Sequence, residues 1–368
     1  MALNYKPNEV KVDFFSYRHM LVGTPKAGKT TMFADLVKTL YKGDMSKGLL
    51  ISVGSESGYS AIQGLYAINA PTYADYMEII DDLCENKEDN NFAVIAIDTA
   101  DELVTITEKE VCRRSKLESG NKCTINGAFG GYGAGRKMVA QLIDDSLARL
   151  NRAGYGTFII SHTKEKTVKE KNGDSEYQQL GVALSNDYSA IFTNKSDIIA
   201  MLDTSREIDA NKRISNTTRW LYFRSNGYYN CGCRFPDIVE KCEFSVDNYI
   251  EAVEDAIKAS LKGKADDKYI AEKKQQEQAE KEAYYQEHKE ELSSEEAFDE
   301  ANNAIEEKVS GADSLISEIN NIMKNLSQAD RDNKKAALAS ANLPASPAAI
   351  KKLKNVDTLN QILNIVKA

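Results

Sequence analysis

The sequence has no apolar run approaching the ~20 residues a membrane helix needs, and it opens on Met-Ala-Leu-Asn with no basic-then-apolar leader. These absences lead us to expect a cytoplasmic protein with no membrane partner. Its six cysteines are scattered. Cys231-Gly232-Cys233 could be combined with Cys112, Cys123 or Cys242 into a zinc site, but the separations are irregular and no histidine is near. Free thiols in a reducing compartment are the better expectation. An excess of positive charge is missing too, since the formal charge is −9 and would argue against nucleic acid. The acid is unevenly spread, however. Residues 264–310 hold 15 Asp and Glu against 7 Lys, so the rest of the chain is close to neutral and net charge excludes nothing.

What is present is ordinary for a globular chain: 368 residues, 42% hydrophobic and 28% charged, enough for one large core or two domains. One stretch stands apart. Gly23-Thr24-Pro25-Lys26-Ala27-Gly28-Lys29-Thr30 follows the apolar run His19-Met20-Leu21-Val22 and precedes a helical pattern that begins at Thr31. A triphosphate needs a concave ring of backbone N–H donors, a cation that reaches its outer phosphates and a hydroxyl for magnesium, and this stretch supplies all of them in order. Gly23 and Gly28 let the backbone turn and approach the phosphates, Lys29 reaches the β and γ oxygens, and Thr30 ligates the metal. ATP and Mg2+ are the ligands expected. Phe92-Ala93-Val94-Ile95-Ala96-Ile97-Asp98 reads as a buried strand ending in an acid, which places Asp98 beside the loop, where it can hold magnesium through water.

Around these motifs the pattern alternates. Residues 14–22 read as the first strand and Leu49–Val53 as the second, with helices to about Tyr41 and over 72–85. Residues 103–128 read as a helix and a basic loop, followed by a glycine-rich stretch and a helix from Arg136 to Leu150. Gly156–His162 is a fourth strand. Thr163 to Tyr188 is polar and lacks apolar periodicity, which predicts a mobile functional loop or partial disorder. Residues 197–202 and 220–224 are further strands, Ser225-Asn226-Gly227 reads as a hairpin turn, and 244–262 as a closing amphipathic helix. Strands alternating with helices predict an α/β fold with a mainly parallel sheet flanked by helices and an antiparallel edge. The domains expected are an ATPase domain over 1–263, an acidic helical or disordered linker over 264–310, and a small helical module over 311–368.

The order of loop, strand ending near Glu56, strand ending in Asp98 and strand ending in Ser161-His162 resembles the RecA-like P-loop ATPases. More narrowly, it is similar to phage-encoded nucleotide-binding proteins of RecA type that act in single-strand annealing or recombination. The residues carrying the likeness are Gly23–Thr30, Glu56–Tyr59, Asp98–Asp101, Gly131–Gly133, Ser161–Glu165 and Cys233–Pro236, within about residues 13–260. The resemblance implies that Glu56 orients the attacking water. Glu102 is the alternative base, since the AAA-type arrangement puts an acid directly after the metal Asp, where Thr99 stands here. It implies that His162 is a polar sensor of the γ-phosphate and that Thr31 belongs with the phosphate loop.

It further implies a homo-oligomer, ring or filament, in which a neighbour supplies a cation to the phosphates, with Arg213, Arg219, Arg224 and Arg234 as candidates. Single-stranded DNA is the partner implied, bound through loops around 113–136 and 163–188. Arg113, Arg114, Lys116, Lys122, Lys164, Lys166, Lys169 and Lys171 would meet phosphates there, and Phe129, Tyr132 or Tyr177 would stack on bases. A nucleotide-gated scaffold with negligible turnover, or a helicase or loader motor, would share the same loop.

Overall fold

The computed structural model describes residues 7–119, 123–169, 175–209, 212–263, 266–293, 315–316, 318–341, 343–346, 350 and 356–367. The chain divides into two units, one of residues 1–107 with 140–293 and the other of 108–139 with 294–368.

The first unit is built on one sheet. Its strands are β1 (His19–Gly23), β2 (Gly48–Val53), β3 (Tyr66–Ala70), β4 (Val94–Asp98), β5 (Gly156–Lys169), β6 (Glu176–Val182), β7 (Ile198–Ile208), β8 (Ile214–Tyr222), β9 (Gly232–Cys233) and β10 (Lys241–Glu243). Across the sheet the order is β10-β8-β7-β1-β5-β4-β2-β3, with β6 paired to β5 and β9 to β7. The pairings from β7 to β3 along this order are all parallel, whereas β8 and β10 pair antiparallel at one edge. This is the mixed α/β, mainly parallel architecture that the alternating pattern predicts. Every residue of β1, β2 and β4 is buried, as strands covered on both faces require.

The helices are α1 (Lys29–Leu40), α2 (Tyr73–Glu85), α3 (Ala100–Ser119), α4 (Ala134–Arg152), α5 (Asn186–Thr193), α6 (Val246–Ser260) and α7 (Asp267–Ser293). On one face of the sheet, Phe33, Leu36 and Val37 of α1 and Tyr249, Val253 and Ile257 of α6 share a core with Leu21, Phe158, Ala200 and Leu221. Fully burying a side chain of this size contributes about 1.5–3 kcal/mol, so this shared core holds α1, and the loop before it, firmly on the sheet. α2 begins with a capping box in which Thr72 and Asp75 bond reciprocally, and it is tied to α4 by Arg149 and Asp81 at 2.5 Å and by Tyr76 and Ser146 at 3.1 Å.

Several elements differ from their expected form. Phe14-Phe15-Ser16 is a 3-10 turn rather than the start of β1, with both phenylalanines buried, so their apolar signal is tertiary packing and not strand. β3 was not expected. It is an edge strand that leaves Tyr66 and Ile68 exposed and so carries no strong apolar run. Of residues 163–188, read as a mobile loop or partly disordered, those described mostly form regular elements: β5 runs on to Lys169 and pairs with β6 from Thr163 opposite Val182 to Lys169 opposite Glu176, and α5 follows. Beyond its base, where Leu180 and Val182 are buried, the hairpin is largely polar on both faces, which erases the two-residue periodicity a strand would show. Similarly β7 and β8 form a long hairpin between Ile208 and Ile214, beyond Leu202, with both strands largely exposed there. Ser225-Asn226-Gly227 is not that hairpin's turn; it leads toward β9.

The acidic stretch also departs from a solvated linker over its described part. α7 belongs to the first unit, where Tyr285 is buried and donates to the Cys84 carbonyl at 2.9 Å. Glu277, 4% exposed, accepts from Val12 N at 2.7 Å, Asp13 N at 3.1 Å and the Ser16 hydroxyl at 3.2 Å. A buried acid that satisfies two backbone amides acts as glue, which charge composition alone does not reveal. Residues 294–310 lie outside the described residues. In the second unit, Ile319, Leu338, Leu359 and Ile362 form a small apolar core between short helices that include Gln328–Ser340 and Val356–Lys367.

His19 generates a pH prediction. It is wholly buried: its Nε2–H donates to the Phe14 carbonyl at 2.9 Å, and Nδ1 accepts from the Tyr249 hydroxyl at 2.8 Å. Burial pushes its pKa from 6.5 down to about 4. Above pH 6.5 the ring is neutral folded or unfolded and contributes no pH dependence. Below it the unfolded chain binds a proton that the folded chain refuses, so stability falls as the pH drops from 6.5 toward 4, by about 3 kcal/mol over that window. Urea unfolding across this range should show the loss, and His19→Gln should flatten it. An equally steep profile in the variant would assign the loss to other groups.

Candidate functional site

The parallel register brings the strand ends together. β1 ends at Gly23, opposite His162 of β5 and Leu202 of β7, while Asp98 at the end of β4 stands opposite Ile160 and Ser52. The loop from Thr24 to Gly28 therefore rises from the same sheet edge as Asp98 and His162. Within it Lys26 and Gly28 take positive φ, 62° and 101°, and α1 starts at Lys29 with no side chain capping it. The first-turn amides of α1 thus have no helical acceptor and face outward as a set of donors for an anion. At Gly28 a side chain would also be strained, and its Cβ would lie 3.4 Å from the Phe244 ring.

Lys29 is 6% exposed, and its amine donates to the Gly23 and Thr24 carbonyls, each at 2.9 Å. Of an ammonium's three donors one is left for a phosphate oxygen. Burial lowers its pKa, while the charges of Asp98, Asp101 and Glu56 work against that shift. The Thr30 hydroxyl donates to Asp98 Oδ2 at 2.8 Å. Burial raises the Asp98 pKa and Glu56 adds to the rise; the Thr30 bond, Lys29 and His162 oppose it. Thr24, Pro25, Lys26 and Thr31 are exposed on the rim, with Ala27 half-buried behind them.

Glu56 lies just past β2, its carbonyl accepting from Ser52 Oγ at 2.7 Å, and its charge acts on both Lys29 and Asp98. Glu102, the alternative base, instead lies over the turn at Gly54, where an added Cβ would stand 2.3 Å from its carboxylate. Gly58 follows close by; a Cβ there would be 3.5 Å from Thr30 Oγ1.

His162 is held by a residue not singled out for the site. Asp101 Oδ2 accepts from Ser161 Oγ at 3.0 Å and His162 N at 2.9 Å, and lies 3.4 Å from His162 Nδ1. Burial would raise the Asp101 pKa, but these bonds from His162 and Ser161 overcome it and hold the carboxyl below its usual range. The other oxygen, Oδ1, is buried with no hydrogen-bond partner among the described residues. The signal available in the sequence was its spacing: three residues past Asp98, Asp101 sits in the first turn of α3 and so returns to the same sheet edge.

The arginines considered for a neighbouring subunit are placed differently. Arg224 donates to the carbonyls of Cys233, Phe235 and Pro236, and Arg234 pairs with Asp197 at 3.1 Å, so both brace their own chain. Arg219 reaches its own phosphate loop, donating to the Ala27 carbonyl at 3.2 Å. Arg213, at the start of β8's hairpin, is exposed.

Thr30 and Asp98 present hard oxygen donors in mutual contact, a set that suits magnesium rather than a soft metal. Among the described residues no group of three or more His, Cys, Asp or Glu could hold a metal, so an ion here would draw its remaining ligands from phosphate and water. Burial raises the thiols of Cys231 to about 12 and Cys242 to about 11, as in apolar surroundings. No helix among the described residues is long and apolar enough to cross a membrane.

A buried lysine and a hydroxyl–carboxylate pair at the mouth of a glycine loop, on the edge of a parallel sheet, define a P-loop nucleotide-binding ATPase. Comparison with known families agrees: the AAA domain model AAA_24 matches residues 16–227, more than half of the chain, and the chain belongs to that family. No curated protein matches it.

Lys29→Ala removes the ammonium while leaving the loop's glycines and α1 in place. Titration with a fluorescent ATP analogue should show affinity weakened roughly ten- to hundredfold, the loss expected for one charge-assisted hydrogen bond. Unchanged affinity in a variant with native circular dichroism would move the phosphates away from this loop.

Proposed function

We propose that the chain is a magnesium-dependent, RecA-like ATPase that acts on single-stranded DNA in recombination, annealing or repair, of the type that phages encode, and that it works as a homo-oligomer. The observation that carries the ATPase is the contact of Thr30 with Asp98 at 2.8 Å beside the buried Lys29 amine. Phosphoryl transfer is largely positioning and neutralisation of charge on the γ-phosphoryl oxygens. In this reading the loop amides and Lys29 hold the phosphates and Glu56 orients and deprotonates the attacking water. His162, anchored by Asp101, meets the γ-phosphate. Magnesium bound at Thr30 and Asp98 would supply the remaining positive charge.

The DNA reading is supported by continuity. β5 carries Ser161 and His162 where it lies beside β1, then runs on as the exposed hairpin that bears Lys164, Lys166, Lys169 and, on β6, Tyr177. One rigid strand would thus link the γ-phosphate to a strand-binding finger. Lys164 is exposed; Lys166 donates to the Leu184 carbonyl and Lys169 pairs with Glu176 at 3.1 Å, so both would have to exchange partners to bind phosphate. Lys171 lies outside the described residues. In the other region, Arg113 and Arg114 are on α3 rather than in a loop and both pair with Glu110, and Lys122 lies outside the described residues. Tyr132 there is fully exposed on a backbone with φ 51°, a free face for stacking. The oligomer is supported by the charge at the site: among the described residues, Lys29 is the one lysine or arginine whose charge meets Asp98, Asp101 and Glu56 there. A neighbour's exposed arginine, Arg213 included, would supply the missing charge.

The test is ATP turnover with and without single-stranded DNA, in the wild type, Glu56→Ala and Lys164→Glu. DNA should stimulate the wild type, Glu56→Ala should abolish turnover, and Lys164→Glu should blunt only the stimulation. Tight ATP binding with no turnover under any condition would favour a nucleotide-gated scaffold instead. Sedimentation with a non-hydrolysable ATP analogue and DNA should give an assembly larger than one chain; a monomer throughout would overturn the oligomer.

A further inference from the structure

The sheet order gives a bound polyphosphate a direction. β5, β4 and β2 lie on one side of β1 and bring His162, Asp98 and Glu56 to the phosphate loop; β7 and β8 lie on the other side. If the γ end is held among those groups, as the proposed function requires, the opposite end of the chain leaves over β7 and β8. A cleft of about 520 Å3 opens there, between the rim of the phosphate loop at Thr24–Ala27 and the Thr204, Thr217, Arg219, Glu243 and Phe244 side. Its size is within the ~300–1,000 Å3 usual for small-molecule sites.

We infer that this cleft is a nucleoside subsite, and that the base stacks on a platform made by Arg219 and Phe244 of the same chain. The platform is built before any ligand arrives. The Arg219 guanidinium lies 4.4 Å from the Phe244 ring centroid, its Nη1 donates to the Ala27 carbonyl at 3.2 Å, and Phe244 N donates to the Arg219 carbonyl at 2.9 Å. One face of the guanidinium is taken by the ring, and Arg219, exposed as a whole, lines the cleft. Planar guanidinium groups stack on nucleobases, and an aromatic ring beneath fixes the plane at little further entropic cost. Both residues come within 3.5 Å of where a Gly28 Cβ would stand, which sets the platform directly beside the amides that hold the phosphates. The Glu243 carboxylate and the threonine hydroxyls offer acceptors for ribose hydroxyls or an exocyclic amine. Arg219 is therefore assigned to its own nucleotide's base, not to the γ-phosphate of a neighbour.

This inference rests on the phosphate-loop reading, and the experiment separates the two. Binding of Mg-ATP and of Mg-tripolyphosphate is measured by calorimetry for the full chain, Lys29→Ala, Arg219→Ala and Phe244→Leu; the leucine keeps an apolar side chain against the core and removes the ring. Lys29→Ala should weaken both ligands. Arg219→Ala and Phe244→Leu should weaken ATP roughly tenfold or more, as the loss of one base-stacking contact does, and leave tripolyphosphate unchanged. If either surface change leaves ATP binding intact, or weakens both ligands equally, the base does not lie on this platform although the phosphate loop stands. If wild type binds neither ligand, the phosphate-loop reading itself fails and takes the subsite with it.

Discussion

The hydrogen bond from Thr30 to Asp98 joins the first turn of α1 to the end of β4, two strands away across the sheet, and the chemistry of the site depends on it. β5 lies between β1 and β4, and the hydroxyl on the helix meets the carboxylate at the strand end across it. The helix is held there by Phe33, Leu36 and Val37 in the core, so packing well below the site keeps its atoms in reach. Lys29 is then drawn inward onto the loop carbonyls, and the charges of Asp98, Asp101 and Glu56 compensate the cost of burying it.

From the same frame the two sides of the phosphate loop acquire different surroundings. Acids and a histidine gather where β2, β4 and β5 end. On the far side of β1 there are threonine hydroxyls, an arginine and an aromatic ring. Two strands, β5 and β7, outrun β1 and continue as exposed hairpins on either side of the loop. The fold thus offers separate outlets for the proposed functions: γ-phosphate contact through β5 toward DNA, and base contact through β8.

How far the residues could be read in advance depended on whether the signal was local. The phosphate loop was legible because its spacing is dictated by the ligand, and β4 because a buried parallel strand must be apolar until it meets the site at Asp98. α2 and α6 were legible from their apolar faces. The hairpins were not: over most of their length the strands are exposed on both faces and have no alternating pattern, so 163–188 read as loop. The helical character of α7 was legible from its residue types, but not its packing onto the first unit, since the buried Glu277 and Tyr285 are few among many solvated charges.

By itself the sequence determined that a polyphosphate loop lies between a strand and a helix, and that acids follow at strand ends in the order of P-loop enzymes, because these features need only neighbouring residues and local periodicity. Tertiary structure decided which charged groups actually meet. Asp101 became the anchor of His162, Glu102 turned to Gly54, and Arg219 came to its own loop from 192 residues away, all through strand register. Register is fixed by how buried faces match across the whole sheet, a condition no stretch of chain can state alone.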